Sequence, residues 1–297
     1  MEQLNISLFD PLQIVLNNEP VSDFRTKKVL ALLVYLAAEP EKAHRRETLM
    51  TMLWPGMPET SARANLRQVL FRLRQAISDF TVEETAVPLL ITNRHTIQLN
   101  PDAPLSIDTS QFESHLSQTQ THDHVDLLTC HKCREDLAAA TALYTGHFLA
   151  DFYIEDSSEF EEWAEIRRQK YLRKTLDALE TLTAVAIRQQ AYAEARLHAE
   201  SQLELDDLRE SAYQQLMEIL ARSGQRNEAL AVYEKCRRLL QEELGMAPAG
   251  RTTGLYKQIL DGDLNLDSLQ EQGVRGYELQ DEIGAGAYGV IHRAVQP

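Results

Sequence analysis

Apolar and polar positions follow more than one rhythm along this 297-residue chain. The opening stretch runs with a period near two. Leu4–Leu8 and Gln13–Leu16 read as short strands, and Asn17-Asn18 supplies a turn signal. From Thr26 the rhythm lengthens to that of a helix, with Leu30, Leu33, Val34 and Ala37 on one face up to Ala38. Arg45 to Trp54 predicts a second helix, stopped by Pro55-Gly56. A third begins near Glu59 and contains SARANLRQVLFRLRQAIS, residues 61–78. Residues 89–100, LLITNRHTIQLN, predict a hairpin with Asn93, Arg94 and His95 at its tip. Strands, three helices and a closing hairpin make a winged helix-turn-helix, an α+β unit, over residues 1–100.

The third helix carries four arginines and no acid between Ser61 and Ser78. On a wheel of 3.6 residues per turn, Leu66, Val69, Leu70, Leu73 and Ile77 form one stripe, the expected core face. Ala64, Gln68, Phe71 and Gln75 point away from it. Asn65, Arg67 and Arg72 lie on the shoulders, and Arg63 and Arg74 nearer the core boundary. Such a helix fits the major groove of DNA, where Arg pairs with guanine and Asn or Gln with adenine. On this reading Asn65, Arg67, Gln68, Phe71 and Arg72 stand near bases. Arg63, Arg74 and Arg94 are phosphate candidates that fix the register. Arg94 and His95 at the hairpin tip would enter the adjacent minor groove or touch the backbone there. Lys27 and Lys28 are weaker phosphate candidates that otherwise frame the first helix. The competing reading is a solvated basic helix.

Charge changes the picture further along. The net charge is −15, yet residues 1–100 hold 11 acids and 11 bases, so the later residues carry the whole excess of acid. That part should repel nucleic acid, leaving only the first hundred residues as its plausible partner. The longest apolar run, Val29 to Ala38, is far short of a membrane span, and the N-terminus lacks a signal-peptide pattern, so a cytoplasmic protein with no membrane partner is expected. Three cysteines argue against a disulfide scaffold.

Residues 137–260 read as successive helices rich in Ala, Leu, Glu, Gln and Arg. A repeat runs through them at a shift of 34. Glu194-Ala195 recurs as Glu228-Ala229, Ala178 as Ala212, Leu182 as Leu216, and Val185 as Ile219. A 34-residue period of paired helices is the tetratricopeptide signature, and such stacks offer a concave surface to peptides, helices or a second copy. The expected fold is therefore mainly α: a winged helix followed by an all-α repeat domain.

The segments FRTKKVLALLVYLA, RRETLMTMLWPG, SARANLRQVLFRLRQAI and ITNRHTIQLN resemble, in order and spacing, the winged-helix domain of SARP-type bacterial transcriptional activators. That domain is also similar to the output domain of response regulators. SIDTSQFESHL, ALYTGHFLADF, EFEEWAEIRRQKYL, GQRNEALAVYEKCRRLLQEELGMAP and LYKQIL resemble the bacterial transcriptional activator domain over about residues 106–260. The resemblance implies an activator that binds promoter DNA as a homodimer or as tandem monomers. It also implies that the helical domain associates with itself and contacts RNA polymerase. It makes the third helix the recognition helix, with the Arg63, Arg67, Arg72 and Arg74 positions on its DNA-facing or phosphate-facing surface. Phe71 departs from the small polar residue expected there, to contact a thymine methyl or to pack.

Two further motifs stand outside this scheme. THDHVDLLTCHKCREDL contains His122, His124, Cys130 and Cys133, spaced H-x-H-x5-C-x2-C. A Cys-x-x-Cys pair opening a helix, with two nearby histidines, suits a structural zinc ion; plain loop histidines and a reducible thiol pair are the alternatives, and His115 and His131 are substitute ligands. After a polar linker at 261–276, Gly284, Gly286 and Gly289 form G-x-G-x-x-G. With the flanking YELQDEIG and YGVIHRA, residues 277–297 resemble the start of a protein kinase, whose glycine loop covers ATP phosphates. The remaining kinase groups would lie beyond Pro297, so no catalysis is expected of this stretch. The chain then reads as the front of a longer polypeptide. Rival readings are the regulatory arm of a signalling kinase and a protein-interaction scaffold that does not bind DNA.

Overall fold

Hydrophobic burial organises the N-terminal elements in the order the rhythm implies. The computed structural model describes residues 3–79, 87–123, 126–262, 278–286 and 289–295. Strands β1 (Leu4–Ser7), β2 (Gln13–Leu16) and β3 (Glu19–Pro20) form an antiparallel meander. Asn17 and Asn18 turn it with φ of 54° and 68°, a left-handed conformation that asparagine tolerates. Helix α1 (Lys27–Ala37) follows, and residues 31–37 of it are all buried. A two-residue strand β4 (His44–Arg45) leads into α2 (Arg46–Leu53) and α3 (Glu59–Ala76). Leu66, Val69, Leu70, Leu73 and Ile77 form the buried stripe of α3. The hairpin of β5 (Leu90–Thr92) and β6 (Thr96–Leu99) closes this part, and β4 pairs with β6 to give the order β4-β6-β5. These are the elements of a winged helix-turn-helix.

The first sheet does not stop at residue 100. Strand β7 (Leu105–Ile107) pairs parallel with β1, in the register Leu4↔Leu105 and Ile6↔Ile107. Helix α4 (Asp108–Thr121) begins at once, and the Asp108 carboxylate accepts hydrogen bonds from the backbone N–H groups of Leu8 and Phe9 at 2.8–2.9 Å. Burial raises the pKa of Asp108, and those N–H groups oppose the shift. Helix α5 (His131–Leu143) packs on α4. The ring of Phe9 meets Phe112, Tyr144 and Tyr171 edge-on at 5.5, 5.0 and 5.3 Å between centroids. Tyr35 of α1 meets Trp163 at 4.8 Å, Lys28 pairs with Asp156 at 2.7 Å, and Arg167 pairs with Glu39 at 2.7 Å. Residues 1–179 accordingly make one compact unit, in which the winged helix and the helices after it share a core.

Residues 180–297 form a second unit. Helix α6 (Ser158–Arg188) contributes residues to both; α7 (Tyr192–Leu205), α8 (Glu210–Arg222), α9 (Arg226–Leu244) and α10 (Gly250–Asp261) belong to the second. Helices α7 and α9 start 34 residues apart, the shift of the sequence repeat. Ala195 and Ala229 are both fully buried, as are Ala212 and, nearly so, Leu216 and Ile219. The repeat thus records a packing need: small residues where helices approach, larger apolar ones between them. Gly245, at φ 66°, ends α9 in the left-handed conformation common at helix C-termini. Strands β8 (Glu278–Gly286) and β9 (Gly289–Val295) pair antiparallel. No helix among the described residues is long and apolar enough to cross a membrane.

Candidate nucleic-acid interface

Helix α3 presents its polar side next to the β5–β6 wing, and the two enclose an open groove of about 670 Å³. Arg63, Arg67, Phe71, Arg74, Arg94 and His95 line it, joined by Arg46 from the start of α2. Arg67 and Arg94 are exposed, and neither has an ion pair among the described residues. Phe71 is 56% exposed, an unusual position for a large apolar ring.

The groove is fastened at several points. The Asn93 side chain accepts hydrogen bonds from the N–H groups of His95 and Thr96, both at 2.7 Å, and donates to Thr96 Oγ1 at 2.8 Å. This side-chain turn shapes the wing tip that displays Arg94 and His95. The Arg46 backbone N–H donates to His95 O at 2.9 Å, and its Nε donates to Asn93 O at 3.0 Å. Arg74 donates to Thr92 Oγ1 at 2.8 Å and lies 3.6 Å from the Asp79 carboxylate. Asp79 in turn accepts from the Leu89 N–H at 2.6 Å, so one carboxylate braces both helix and wing. Burial raises its pKa, against the Leu89 hydrogen bond and the Arg74 charge. Burial, then the neighbouring Arg74 charge, disfavours the charged form of Arg46. Cations are crowded here, and an anion placed among them would relieve their repulsion.

The structure does not bring all the sequence candidates to one place. Arg63 is exposed rather than at the core boundary, and Glu59 one turn earlier pairs with it. Gln68 is exposed on α3. Asn65 donates to Met57 Sδ at 3.2 Å. Arg72 faces a different depression, lined with Asp23, Arg25 and Gln75, on the far side of α3 from the wing. Arg74 is half-buried and committed to the wing, which suits a brace better than a freely reaching side chain. Lys28 lies over the Trp54 ring and Lys27 over the Tyr153 ring, so both frame α1. The sequence does not single out Arg46, and it marks Asn93 only as part of the hairpin tip. The doublet Arg45-Arg46 at a predicted helix start was the available signal, but the pairing of β4 with β6, which points Arg46 at the wing, is a tertiary fact.

The second cluster is also drawn together in part. The ligand atoms of His122, Cys130 and Cys133 all lie within 4.8 Å of one another. His124 lies outside the described residues. His115 is engaged elsewhere, 3.1 Å from the buried Asp136 carboxylate, and His131 lies 3.4 Å from Glu135. In the tail, Gly286 pairs with Gly289 at the end of the β8–β9 hairpin, and Gly284 pairs with Ile291.

Known proteins resemble this chain in sequence or in fold. The regulatory protein AfsR of Streptomyces griseus is 26% identical over 266 residues, 89% of this chain and 25% of that protein. The AfsR protein of Streptomyces coelicolor is 28% identical over 239 residues, 80% of this chain and 22% of that one. The chain therefore spans about a quarter of the length of the curated relatives it matches. Among solved structures it is similar to Mycobacterium tuberculosis EmbR, determined in complex with a low-affinity phosphopeptide. The TM-score is 0.66 at 19% identity, covering 100% of this chain and 78% of that one. At that identity the likeness is one of fold: small mixed sheets first, helices after. Residues 107–260, more than half of the chain, match the family model for the bacterial transcriptional activator domain, and the chain belongs to that family.

Proposed function

We propose that this chain is a sequence-specific, double-stranded DNA-binding transcriptional activator, with residues 1–100 as its DNA-reading part and 106–260 as its activator domain. Helix α3 enters the major groove, and the wing tip reaches the flanking minor groove or backbone. The observation that carries the reading is the cationic groove between α3 and the wing, open to solvent and holding an exposed aromatic ring. Arg67, Gln68 and Phe71 address bases, with Asn65 beside them, while Arg63, Arg94 and His95 address phosphates and Arg74 holds the wing in place. Arg72, on the far side of α3, reaches a phosphate of the opposite groove wall rather than a base. The helical repeats position a second copy of the chain on a neighbouring half-site and offer a surface to RNA polymerase.

The experiment is selection of binding sites from random duplexes with the whole chain, followed by titration of the selected and a scrambled duplex at several salt concentrations. Enrichment of one motif, with affinity falling steeply as salt rises, is the expected result. Salt-insensitive or absent binding to both duplexes would instead favour the scaffold reading, in which the groove receives a protein. For residues 277–297 a kinase-like start is a second reading. It is favoured by a hairpin that brings Gly286 and Gly289 together at its tip, with Gly284 two residues before, the backbone layout of a glycine loop that could cover phosphates. A kinase domain in the sequence that continues this tail is its test.

A further inference from the structure

Helices α4 and α5 lie antiparallel, and the segment joining them returns His122 to the place where Cys130 and Cys133 begin the next helix. His122 is the C-cap residue of α4, and Cys130 is the N-cap residue of α5. Cys133 sits in the first turn of α5 with its side chain fully buried, Cys130 is half-buried, and His122 is exposed. The two cysteines are not joined in a disulfide.

We propose that His122, Cys130 and Cys133 bind one zinc ion that clamps the end of α4 to the start of α5. The chemistry of the set fits. Zinc takes thiolate sulfur and imidazole nitrogen in tetrahedral order, and a Cys-x-x-Cys spacing at a helix start presents two sulfurs to one ion. Ligands at about 2.3 Å for sulfur and about 2.1 Å for nitrogen stand roughly 3.5–3.8 Å from one another around a tetrahedron. The present separations, within 4.8 Å, close to that range by about 1 Å of side-chain rotation. The imidazole is exposed and the Cys130 thiol half-buried, so neither is locked in the core. The N-terminal end of α5 also favours the negative charge of the thiolates. Water takes the remaining tetrahedral corner. The site is structural in role. It fixes the approach to α5, where the Leu127–Thr129 turn has no fully buried residue.

The test uses the whole chain, produced without a histidine tag, incubated with zinc sulfate and desalted. About one zinc per chain is expected, and cobalt substitution should give a thiolate-to-cobalt charge-transfer band with tetrahedral d–d bands. Cys130→Ser and His122→Gln should each reduce the bound metal to near zero, while His131→Gln, one residue from Cys130, should keep it. Cys130→Ser leaves a good N-cap residue on α5, so unfolding of the helix cannot account for the loss. Chelation should lower the thermal midpoint of the wild type and leave that of Cys130→Ser unchanged. Absence of metal from the desalted wild type overturns the proposal. So does zinc that survives His122→Gln and disappears with His131→Gln. So does a Cys130–Cys133 disulfide that persists under mild reduction in place of metal.

Discussion

Replacing Arg67 and Arg94 separately by alanine tests whether the groove between α3 and the wing reads DNA, and whether its two sides do different work. Both side chains are exposed and without an ion pair among the described residues, so each change should alter folding stability by less than about 0.5 kcal/mol. Their effects on DNA should differ in kind. Arg94 stands on the wing tip, where a contact with phosphate releases condensed counterions. Its loss should lower the slope of log affinity against log salt by about 0.9, on cognate and random duplexes alike. Between about 50 and 200 mM salt that amounts to a roughly 3.5-fold smaller loss of affinity. Arg67 projects from α3, and on the proposed function it meets a base, where a bidentate contact to guanine contributes about 1–3 kcal/mol of discrimination. Arg67→Ala should therefore weaken the selected site roughly 5- to 150-fold, relax the preference at one base pair, and leave random-sequence binding much less affected. Fluorescence anisotropy with labelled duplexes at four or more salt concentrations separates the two signatures, and a thermal melt of each variant confirms the fold. If both variants retain the wild-type affinity and the wild-type slope, with unchanged melting, the groove is not the surface that meets DNA.

Other outcomes follow from the packing and the ionisable groups. Phe9→Ala removes a buried ring that touches three others, and should cost about 3–5 kcal/mol, seen as a lower denaturant midpoint of the first unit. Gly245→Ala forces an L side chain into the left-handed region at φ 66° and should cost about 1 kcal/mol in thermal stability, although nothing lies within 4 Å of the new methyl group. Glu113 lies between Lys170, 2.7 Å away, and Lys174; burial raises its carboxyl, but the two lysines more than offset this and hold it below its ordinary value of 4.5. A depressed carboxylate contributes its stability above that ordinary value and loses it as pH falls through the folded-state value. Denaturant titrations should therefore show a decline below about pH 4.5 that is shallower in Lys170→Met, Lys174→Met protein.

Much of the winged helix is legible in the sequence because its signals are local. The boundaries of α1, α2 and α3 follow from apolar periodicity and from Pro55-Gly56, and the wing from the polar turn Asn93-Arg94-His95 between alternating residues. The repeat in the second unit is equally legible, because two helix pairs face the same packing problem 34 residues apart. Long-range pairing leaves no such trace. Leu105–Ile107 has no periodicity long enough to mark it as the parallel partner of β1, and Asp108 reads as an ordinary helix-start acid until its carboxylate is seen on the Leu8 and Phe9 N–H groups. The helical wheel separated the core stripe of α3 from its outward face. It could not tell the wing side of the outward face from the other, so Arg67 and Arg72 looked equivalent although they line different depressions. Arg46 was invisible for the same reason: its place depends on β4 joining the wing.

The charge distribution bears on how such a chain can bind DNA at all. Its net charge is −15, carried beyond residue 100, while the groove gathers Arg46, Arg63, Arg67, Arg74 and Arg94, of which Arg63 pairs with Glu59 and Arg74 with Asp79, and Glu47 is the acid in its lining. At physiological ionic strength a charge is felt over about 8 Å, so acids farther away than that do little to the field inside the groove. They do act at low salt, where the screening length grows and the molecule as a whole repels a polyanion. Non-specific sliding along DNA relies on long-range attraction, which a net charge of −15 opposes. Affinity must then come from contacts made only when α3 and the wing are both seated, and these are the contacts that depend on base sequence. On the proposed function, an acidic chain with one small cationic groove favours discrimination over general affinity for DNA. Within the first unit the shared core of Phe9, Phe112, Tyr144 and Tyr171, and the Asp108 clamp on β1, hold the winged helix to the helices that follow it through packed rings rather than through a loose tether.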